Sequence, residues 1–280
     1  MHPVLFHLGS LVIPSYGAVA ALGVLLALGL AQWTAPKCGL DPRHAWNAMV
    51  LAVFAALALS RLVLIAMNLS DLRRHPQWLL AIAMVHHPLL AGIGIVGAAV
   101  AVLAYVRWQR LPLATVADVL AAPVCLGLAA EQLGALLAGS DYGRDWMRPD
   151  GHAGIWAIVY NEPLAARWSG TPLGEPLYPV QVFAAGGALM LSVLLILWMP
   201  LPRRRGDVAG AALIGLGALL FVTELFRDWE GRGALMGGLV DIPQLVGLGL
   251  VVLGGMVLGE WGIGSRKSQL MHERSQDVDV

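Results

Sequence analysis

The sequence LGLAAEQLGALLAGSDYGR, at residues 126–144, begins inside a long apolar run and leaves it through a polar, glycine-containing segment. Two polar residues, Glu131 and Gln132, lie in the middle of the apolar part. A carboxylate in hydrocarbon is costly unless it is paired, protonated or turned toward water. The run therefore predicts a membrane-spanning helix, and its two polar residues predict a functional site.

The composition of the whole chain is that of a helical membrane protein. Its 280 residues are 58% hydrophobic and 13% charged, whereas soluble domains carry about 25% charged residues. The formal net charge is +0, so nothing indicates a nucleic-acid partner. Cys38 and Cys125 are far apart, and neither a disulfide framework, a metal site nor a cofactor is expected. The N-terminus also lacks the pattern of a cleavable signal peptide.

Seven apolar runs are long enough to cross a bilayer, for which roughly 17 to 25 residues are needed. They lie at about residues 15–34, 46–67, 79–106, 115–138, 179–199, 208–226 and 241–261. The sequence therefore predicts an all-α integral membrane protein with seven transmembrane helices.

The third run is too long for one straight crossing. His86, His87 and Pro88 divide it, so we expect the helix at 88–106 and a surface or re-entrant segment at 77–85. Small residues within this run, Gly92, Gly94 and Gly97, have the spacing of a close helix contact.

The Lys and Arg residues of the loops predict the orientation of the chain. Cytoplasmic loops are enriched in these residues, and the connections after the first, third, fifth and seventh runs hold more of them than the others. We therefore expect the N-terminus outside and the C-terminus in the cytoplasm. In this orientation, residues 139–178 form an extracytoplasmic head. Loops of this length are usually functional. A membrane domain at 1–265 is expected to precede a polar, disordered tail at 266–280.

Further polar residues lie near the predicted extracytoplasmic ends of the runs. Arg61 can extend to the membrane surface or bind an anion with its planar fork of donors. Glu224 and Arg227, three residues apart, meet on one helix face as a structural ion pair or as part of a site. His87 is a candidate general base, since imidazole titrates near neutrality, or a solvated residue at the membrane edge. The same end also holds Tyr16, Arg144, Tyr178, Gln181 and Gln244.

This distribution favours a pocket that opens to the extracytoplasmic side, with arginines at its mouth. Such a pocket suits an anionic lipid head group. A transporter is less well supported, because no continuous polar path is seen through the cytoplasmic halves of the runs.

Short motifs of low individual specificity also follow one another in a distinctive order. These are SYG at 15–17, Arg61 in the second run, Ala-Asp at 117–118, LG at 133–134, YGR at 142–144, P-x-Q at 179–181, the Glu224 and Arg227 pair, and Gln244 at the start of the seventh run. From residue 3 to about residue 261, the chain resembles the bacterial prolipoprotein diacylglyceryl transferase family.

The resemblance implies an enzyme at the outer face of the bacterial inner membrane. Members of the family transfer the diacylglyceryl group of phosphatidylglycerol to the lipobox cysteine of a lipoprotein precursor, so an anionic phospholipid and a precursor are the implied partners. The thiol needs a base, and the leaving phosphate needs cations. We expect catalytic roles for His87, Glu131 and Glu224. The expected lipid-binding and phosphate-binding residues are Tyr16, Arg61, Arg144, Gln181, Arg227 and Gln244.

The chain departs from the family pattern at two motifs. The His-Gly-Gly motif of the third span aligns with Gly92, and the nearest histidine is His87. The Gly-Arg-x-Gly-Asn motif of the fourth span is replaced by EQLGA at 131–135. Losing an arginine and adding a carboxylate weakens phosphate binding. The alternative is therefore a catalytically impaired paralogue that binds lipid or precursor protein, or acts on a different acceptor.

Overall fold

The computed structural model describes residues 2–8, 11–69, 88–148, 150–227 and 241–276. In these ranges, seven helices are long and apolar enough to cross a membrane, which confirms the predicted fold class. They are α1 (Ser15–Thr34), α2 (Pro42–Met67), α3 (Pro88–Trp108), α4 (Leu113–Ala138), α6 (Val180–Trp198), α7 (Asp207–Glu224) and α8 (Ile242–Gln276); a short helix, α5 (Pro163–Ser169), lies between α4 and α6.

Helix α4 is the centre of the bundle. It packs against α1, α6 and α7, while α2 pairs with α3 and α8 pairs with α7. Half of the α4 span is buried (50%), against 17% of the α2 span. The buried central position explains why α4 can carry polar residues that would be costly on a helix facing lipid.

A proline in α4 is accommodated by a hydrogen bond from a neighbouring helix. Pro123 has no N–H, so the carbonyl of Val119 lacks its helical donor. The hydroxyl of Thr34 in α1 donates to this carbonyl at 3.0 Å. The hydroxyl of Ser192 in α6 likewise donates to the carbonyl of Ala122 at 2.9 Å. These contacts attach α1 and α6 to the central helix without leaving a backbone group unpaired in hydrocarbon.

Glycines allow close helix contacts at two interfaces. A Cβ at Gly217 in α7 would lie 2.4 Å from the carbonyl oxygen of Gly247 in α8. A Cβ at Gly94 in α3 would lie 3.2 Å from the carbonyl oxygen of Ala56, and one at Gly97 would lie 2.7 Å from Leu59 Cδ2, both in α2. The predicted close packing of the third span is confirmed at Gly94 and Gly97, whereas Gly92 faces open space.

Large apolar side chains cover the outer surface of the bundle. Phe54 is 69% exposed and Ile95 is 70% exposed, and many leucines are similarly placed. Soluble monomers rarely expose continuous apolar surface of this kind. The chain is therefore a multi-pass membrane protein whose outer surface contacts lipid.

The two ends of the bundle differ in structure. The head end contains two short antiparallel strand pairs that the sequence did not predict. Strand β1 (Val4–Leu8) pairs with β2 (Leu11–Pro14), and β3 (Ile158–Val159) pairs with β4 (Pro176–Leu177). The basic end consists of the short connections at 35–41, 109–112 and 199–206. Which end faces the cytoplasm stays a prediction.

Three other predictions are not tested by the fold. The segment at 77–85 and His87 lie outside the described residues. Helix α8 continues to Gln276, beyond its apolar span of Ile242–Gly259. The division of the chain at residue 265 stays a prediction.

Candidate functional site

The carboxylate of Glu131 lies in a hydrogen-bonded cluster between α1 and α4. The phenol of Tyr16 donates to Glu131 Oε1 at 3.0 Å, and the amide of Gln132 donates to Glu131 Oε2 at 2.6 Å. The helices approach closely here, because a Cβ at Gly134 would lie 3.2 Å from the carbonyl oxygen of Tyr16. Both carboxylate oxygens therefore have a donor, which offsets part of the cost of placing the group in the membrane.

The guanidinium of Arg227, whose side chain is 8% exposed, links α7 to α4 and to the stretch that follows α4. Its Nη1 lies 3.2 Å from Asp141 Oδ1, and its Nη2 donates to Gln132 Oε1 at 3.4 Å. Its Nε lies 3.1 Å from Glu224 Oε1, although this N–H is not directed at an acceptor among the described residues. The contact with Glu224 is thus an ion pair rather than a hydrogen bond.

Backbone hydrogen bonds hold the residues after α4 against the end of α7. The N–H of Arg144 donates to the carbonyl of Phe226 at 2.9 Å, and the N–H of Tyr178 donates to the carbonyl of Arg144 at 3.0 Å. Gly143 must be a glycine, since a Cβ there would lie 2.6 Å from the carbonyl oxygen of Tyr178. This backbone pairing brings Asp141 beside Arg227.

The turn that carries Asp141 is fixed by a buried glutamine. The amide of Gln181, which is 1% exposed, donates to the carbonyl of Ser140 at 2.7 Å and to the phenol oxygen of Tyr160 at 3.1 Å. Burial raises the pKa of Tyr160 to about 12, so this phenol is neutral at physiological pH. Asp141 itself has φ +56, a conformation that aspartate tolerates better than most residues. Gln181 therefore positions the site and does not line it.

Arg144 and Gln244, two other predicted site residues, have their described side-chain contacts outside this cluster. Arg144 is exposed, and its guanidinium lies 5.7 Å from the ring centroid of Tyr178. Gln244 and Asp241 form a reciprocal cap at the start of α8, with N···O distances of 2.8 and 3.2 Å. Arg61 is half-buried on α2, and His87 lies outside the described residues.

Sequence reasoning did not place Asp141 among the site residues, and it marked Gln132 as part of a functional site without assigning it a catalytic or binding role. Gln132 is 6% exposed and connects the Glu131 carboxylate to the Arg227 guanidinium. Asp141 lies in the polar segment quoted at the outset, but its ion pair depends on pairing with a segment far away in the sequence. The positive φ of Asp141 could not be inferred from the residue types of the turn alone.

The cluster, defined as Tyr16, Glu131, Gln132, Asp141, Glu224 and Arg227, is rich in carboxylates. Arg227 contacts Glu224 and Asp141. The side chain of Gln132 links Arg227 to a third carboxylate, that of Glu131. Asp141, at 36% side-chain exposure, is the more accessible partner of Arg227, because Glu224 is 2% exposed. A ligand anion that reaches Arg227 from the head end would replace Asp141 more easily than Glu224.

Comparison with known proteins gives the same family over most of the chain. The family described as prolipoprotein diacylglyceryl transferase matches residues 3–259. A phosphatidylglycerol–prolipoprotein diacylglyceryl transferase of Verminephrobacter eiseniae is 31% identical, with 88% of this chain and 90% of the relative covered. Proteins of the same name from Photobacterium profundum (27% identical, 91% of each chain) and Clostridium tetani (24% identical, 91% of this chain and 95% of the relative) also match.

Proposed function

Because the chain belongs to the prolipoprotein diacylglyceryl transferase family, we propose that it transfers the diacylglyceryl group of phosphatidylglycerol to a cysteine thiol of a lipoprotein precursor. Its relatives are named for this reaction. The observation that carries the proposal is the buried Arg227 cluster, placed at the head end of a bundle that matches the family over residues 3–259.

The proposed reaction is a substitution at the glyceryl carbon next to the phosphate. The thiolate sulfur of the precursor attacks this carbon, an S–C bond forms, and the C–O bond to the phosphate breaks. Glycerol phosphate leaves with the electron pair of that bond. Arg227 would bind the phosphate after the phosphate has displaced the carboxylate of Asp141. Its guanidinium would then stabilise the negative charge that develops on the leaving group. Arg144, exposed beside the cluster, and Arg61 on α2 are the further cations proposed to bind the lipid phosphate.

A carboxylate of the cluster is the proposed acceptor of the thiol proton. Glu131 is hydrogen-bonded by Tyr16 and Gln132, so its position is fixed. Glu224 is buried against Arg227 and is better suited to orient the guanidinium. His87 is the other proposed base. Replacing Glu131 by Gln and His87 by Asn, singly, distinguishes the two, because only loss of the true base removes the acidic limb of the pH–rate profile, where the rate falls as the base becomes protonated.

We also propose a location for the reaction. The protein would lie in the bacterial inner membrane with its head end outside the cytoplasm, where the lipid and the precursor meet. The acyl chains would enter from the bilayer between the helices.

A second function, lipid or precursor binding without the usual turnover, is favoured by one feature of the cluster. Two carboxylates already neutralise Arg227, and Gln132 lies where the family pattern has an arginine. A phosphate would therefore meet less positive charge here than the family motif supplies.

The test is a transfer assay with the purified full-length chain, phosphatidylglycerol labelled in its acyl chains, and a lipobox peptide. Label should move to the peptide, and Arg227→Gln should lower the rate by about 100-fold, as expected for loss of a transition-state donor. Arg148→Gln is the matched control, because this exposed head arginine pairs only at the surface, with Asp150 at 3.3 Å.

Three results would contradict or redirect the proposal. An equal loss in Arg148→Gln would show that head charge, and not the Arg227 cluster, supports the reaction. No transfer by the wild type, beside an active family member, would reject transferase activity on these substrates. Saturable binding of the lipid or the peptide without transfer would establish the second function.

A further inference from the structure

A second polar site lies at the basic end of the bundle, at the opposite end from Arg227. It is a cavity of about 290 Å³ between the connection after α1, the start of α4 and the connection between α6 and α7. Lys37, Thr115, Asp118 and the residues at 201–205 line it. The Arg227 cluster does not contribute to this cavity, and no role in the transfer reaction accounts for it.

The cavity is strongly basic. Lys37, Arg203, Arg204 and Arg205 line it, and none of the ion pairs found among the described residues involves them. Arg203 Nη2 donates to the sulfur of Cys38 at 3.1 Å, and a thiol is a weak acceptor. A phosphate oxygen would be a much stronger acceptor for the same donor.

The single carboxylate in the lining, Asp118, offsets only part of this charge. Asp118 accepts the backbone N–H of Gly206 at 2.6 Å and that of Ala209 at 2.8 Å. Both of its oxygens are thus directed at the N-terminal turn of α7, and the carboxylate is 2% exposed. The four basic side chains are left facing the cavity with an excess of positive charge.

A buried hydroxyl in the cavity wall also needs a partner. Thr115 is 3% exposed, and its Oγ1 has no hydrogen-bond partner among the described residues. It lies in the first turn of α4, where backbone N–H groups also lack intrahelical acceptors and where Pro112 provides no side-chain cap. An unpaired buried hydroxyl is unfavourable, and an oxygen-rich anion would satisfy it.

An apolar groove of about 500 Å³ lies close to this cavity, and its lining residue Trp33 contacts Lys37 of the cavity. The groove is lined by Leu25, Leu26, Gly29 and Leu30 of α1, by Trp33, and by Ile196 of α6. The ammonium of Lys37, which lines the cavity, lies 3.8 Å from the ring centroid of Trp33. A basic cavity thus adjoins an apolar groove at the membrane surface, which is the arrangement of a phospholipid: a phosphate at the interface and a chain along the helices.

We propose that the basic end binds one anionic phospholipid from the adjacent leaflet. Its phosphate contacts Arg203, Arg205 and the hydroxyl of Thr115, and one acyl chain lies in the groove along α1. The proposal does not depend on the transferase activity of the head end. The lipid would lie at the connections that join α1, α4, α6 and α7.

Cys38 provides the measurement, because it lines the cavity and the other cysteine, Cys125, is fully buried. The full-length protein is placed in nanodiscs of phosphatidylcholine alone or of phosphatidylcholine with phosphatidylglycerol, and the alkylation rate of Cys38 by N-ethylmaleimide is measured. An occupied cavity should slow alkylation by about tenfold in the anionic nanodiscs, the effect of occupancy favoured by charge-assisted hydrogen bonds.

Three controls separate binding in the cavity from general surface effects. Cys38→Ser combined with Gln109→Cys places a thiol on another basic-end connection, and it should show little protection. Arg205→Gln and Thr115→Val should each reduce the protection of Cys38. Arg107→Gln removes one positive charge from the same end of the bundle without touching the cavity, and it should leave the protection intact.

Three outcomes would overturn the proposal. Equal protection of Cys38 and of the cysteine at position 109 would indicate a surface effect only. An equal loss of protection in Arg107→Gln and Arg205→Gln would indicate attraction by net charge without a site. Protection of Cys38 by millimolar inorganic phosphate in pure phosphatidylcholine nanodiscs would indicate a site for free phosphate and not for a lipid.

Discussion

At the scale of single residues, Arg227 controls the charge balance of the head-end cluster. It contacts the buried Glu224 and also Asp141. Removing one partner of a buried ion pair is destabilising by about 3–5 kcal/mol. The activity and the stability of this site therefore depend on the same guanidinium.

Gln132 is the residue at which the charge of the cluster is most readily altered. It contacts both Glu131 and Arg227, and carboxylates exceed cations around it. We predict that Gln132→Arg raises the rate of phosphatidylglycerol-dependent transfer by about tenfold, since a second guanidinium adds a charge-assisted contact to the phosphate. The transfer assay with lipobox peptide measures the effect.

Gln132→Leu is the matched control for this change. It keeps the approximate size of the side chain but removes the hydrogen bonds to Glu131 and Arg227, so the transfer rate should fall. The explanation fails if Gln132→Arg lowers the rate as much as Gln132→Leu does.

The sequence predicted part of this site because polar residues in apolar runs are conspicuous. Glu131, Glu224 and Arg227 were identified in this way, and Tyr16 through the family resemblance. Asp141 was not, because its role arises from the pairing of Gly143 with Arg227 across the fold. Gln244 was assigned to the lipid site, although its visible contacts are those of a helix cap.

At the scale of elements, Asp118 attaches α4 to the start of α7 through two backbone N–H groups. We predict that Asp118→Ala lowers the free energy of unfolding by about 2–4 kcal/mol, because both buried donors lose their acceptor. Asp118→Asn keeps one acceptor oxygen and should cost about half as much. Thermal unfolding in detergent micelles measures the change.

Asp150→Asn is the control for Asp118, because Asp150 is an exposed head residue whose ion pair with Arg148 is worth little. A melting temperature that falls equally in the Asp118 and Asp150 variants would contradict a capping role for Asp118.

The contact between α7 and α8 depends on glycine. We predict that Gly217→Ala destabilises the protein by about 1–3 kcal/mol, the range for overpacking, because the added methyl group meets the backbone of Gly247. Gly249→Ala changes the same residue type on α8 where a Cβ meets nothing within 4 Å. It should be neutral or stabilising, and equal losses of stability in both variants would contradict the packing explanation.

The helices were predicted more accurately than the short strands and caps, for a physical reason. Apolar length is a property of each run alone, so all seven spans were located within a few residues. The hairpin of β1 and β2 has only five and four residues, and strands this short carry little periodicity. The link between Asp118 and α7 depends on tertiary contact and leaves no local pattern.

At the scale of the whole molecule, the unequal basic charge of the two ends predicts the orientation in the membrane. In a variant with Cys38→Ser and Cys125→Ala, single cysteines are introduced at exposed positions, by Glu162→Cys in the head or by Gln109→Cys at the basic end. A membrane-impermeant maleimide should label the head cysteine in spheroplasts and the basic-end cysteine only after permeabilisation. The reverse pattern would invert the orientation and place the Arg227 cluster on the cytoplasmic side.

The hydrogen bonds of Glu131 and Gln132 also imply an order of assembly during synthesis. N-terminal segments are made first, so Tyr16 is already present when α4 enters the bilayer. Its phenol can donate a hydrogen bond to the carboxylate of Glu131 as soon as α4 is inserted. Arg227 follows only after α6 and α7 have been made. A nascent chain that stops before α7 can therefore anchor α4, but the Arg227 guanidinium that contacts Gln132 and Asp141 is not yet present. The contacts of Arg227 with Asp141, Gln132 and Glu224 can form only after the ribosome has added Arg227. The cluster is therefore completed late in synthesis, and not as each helix is inserted.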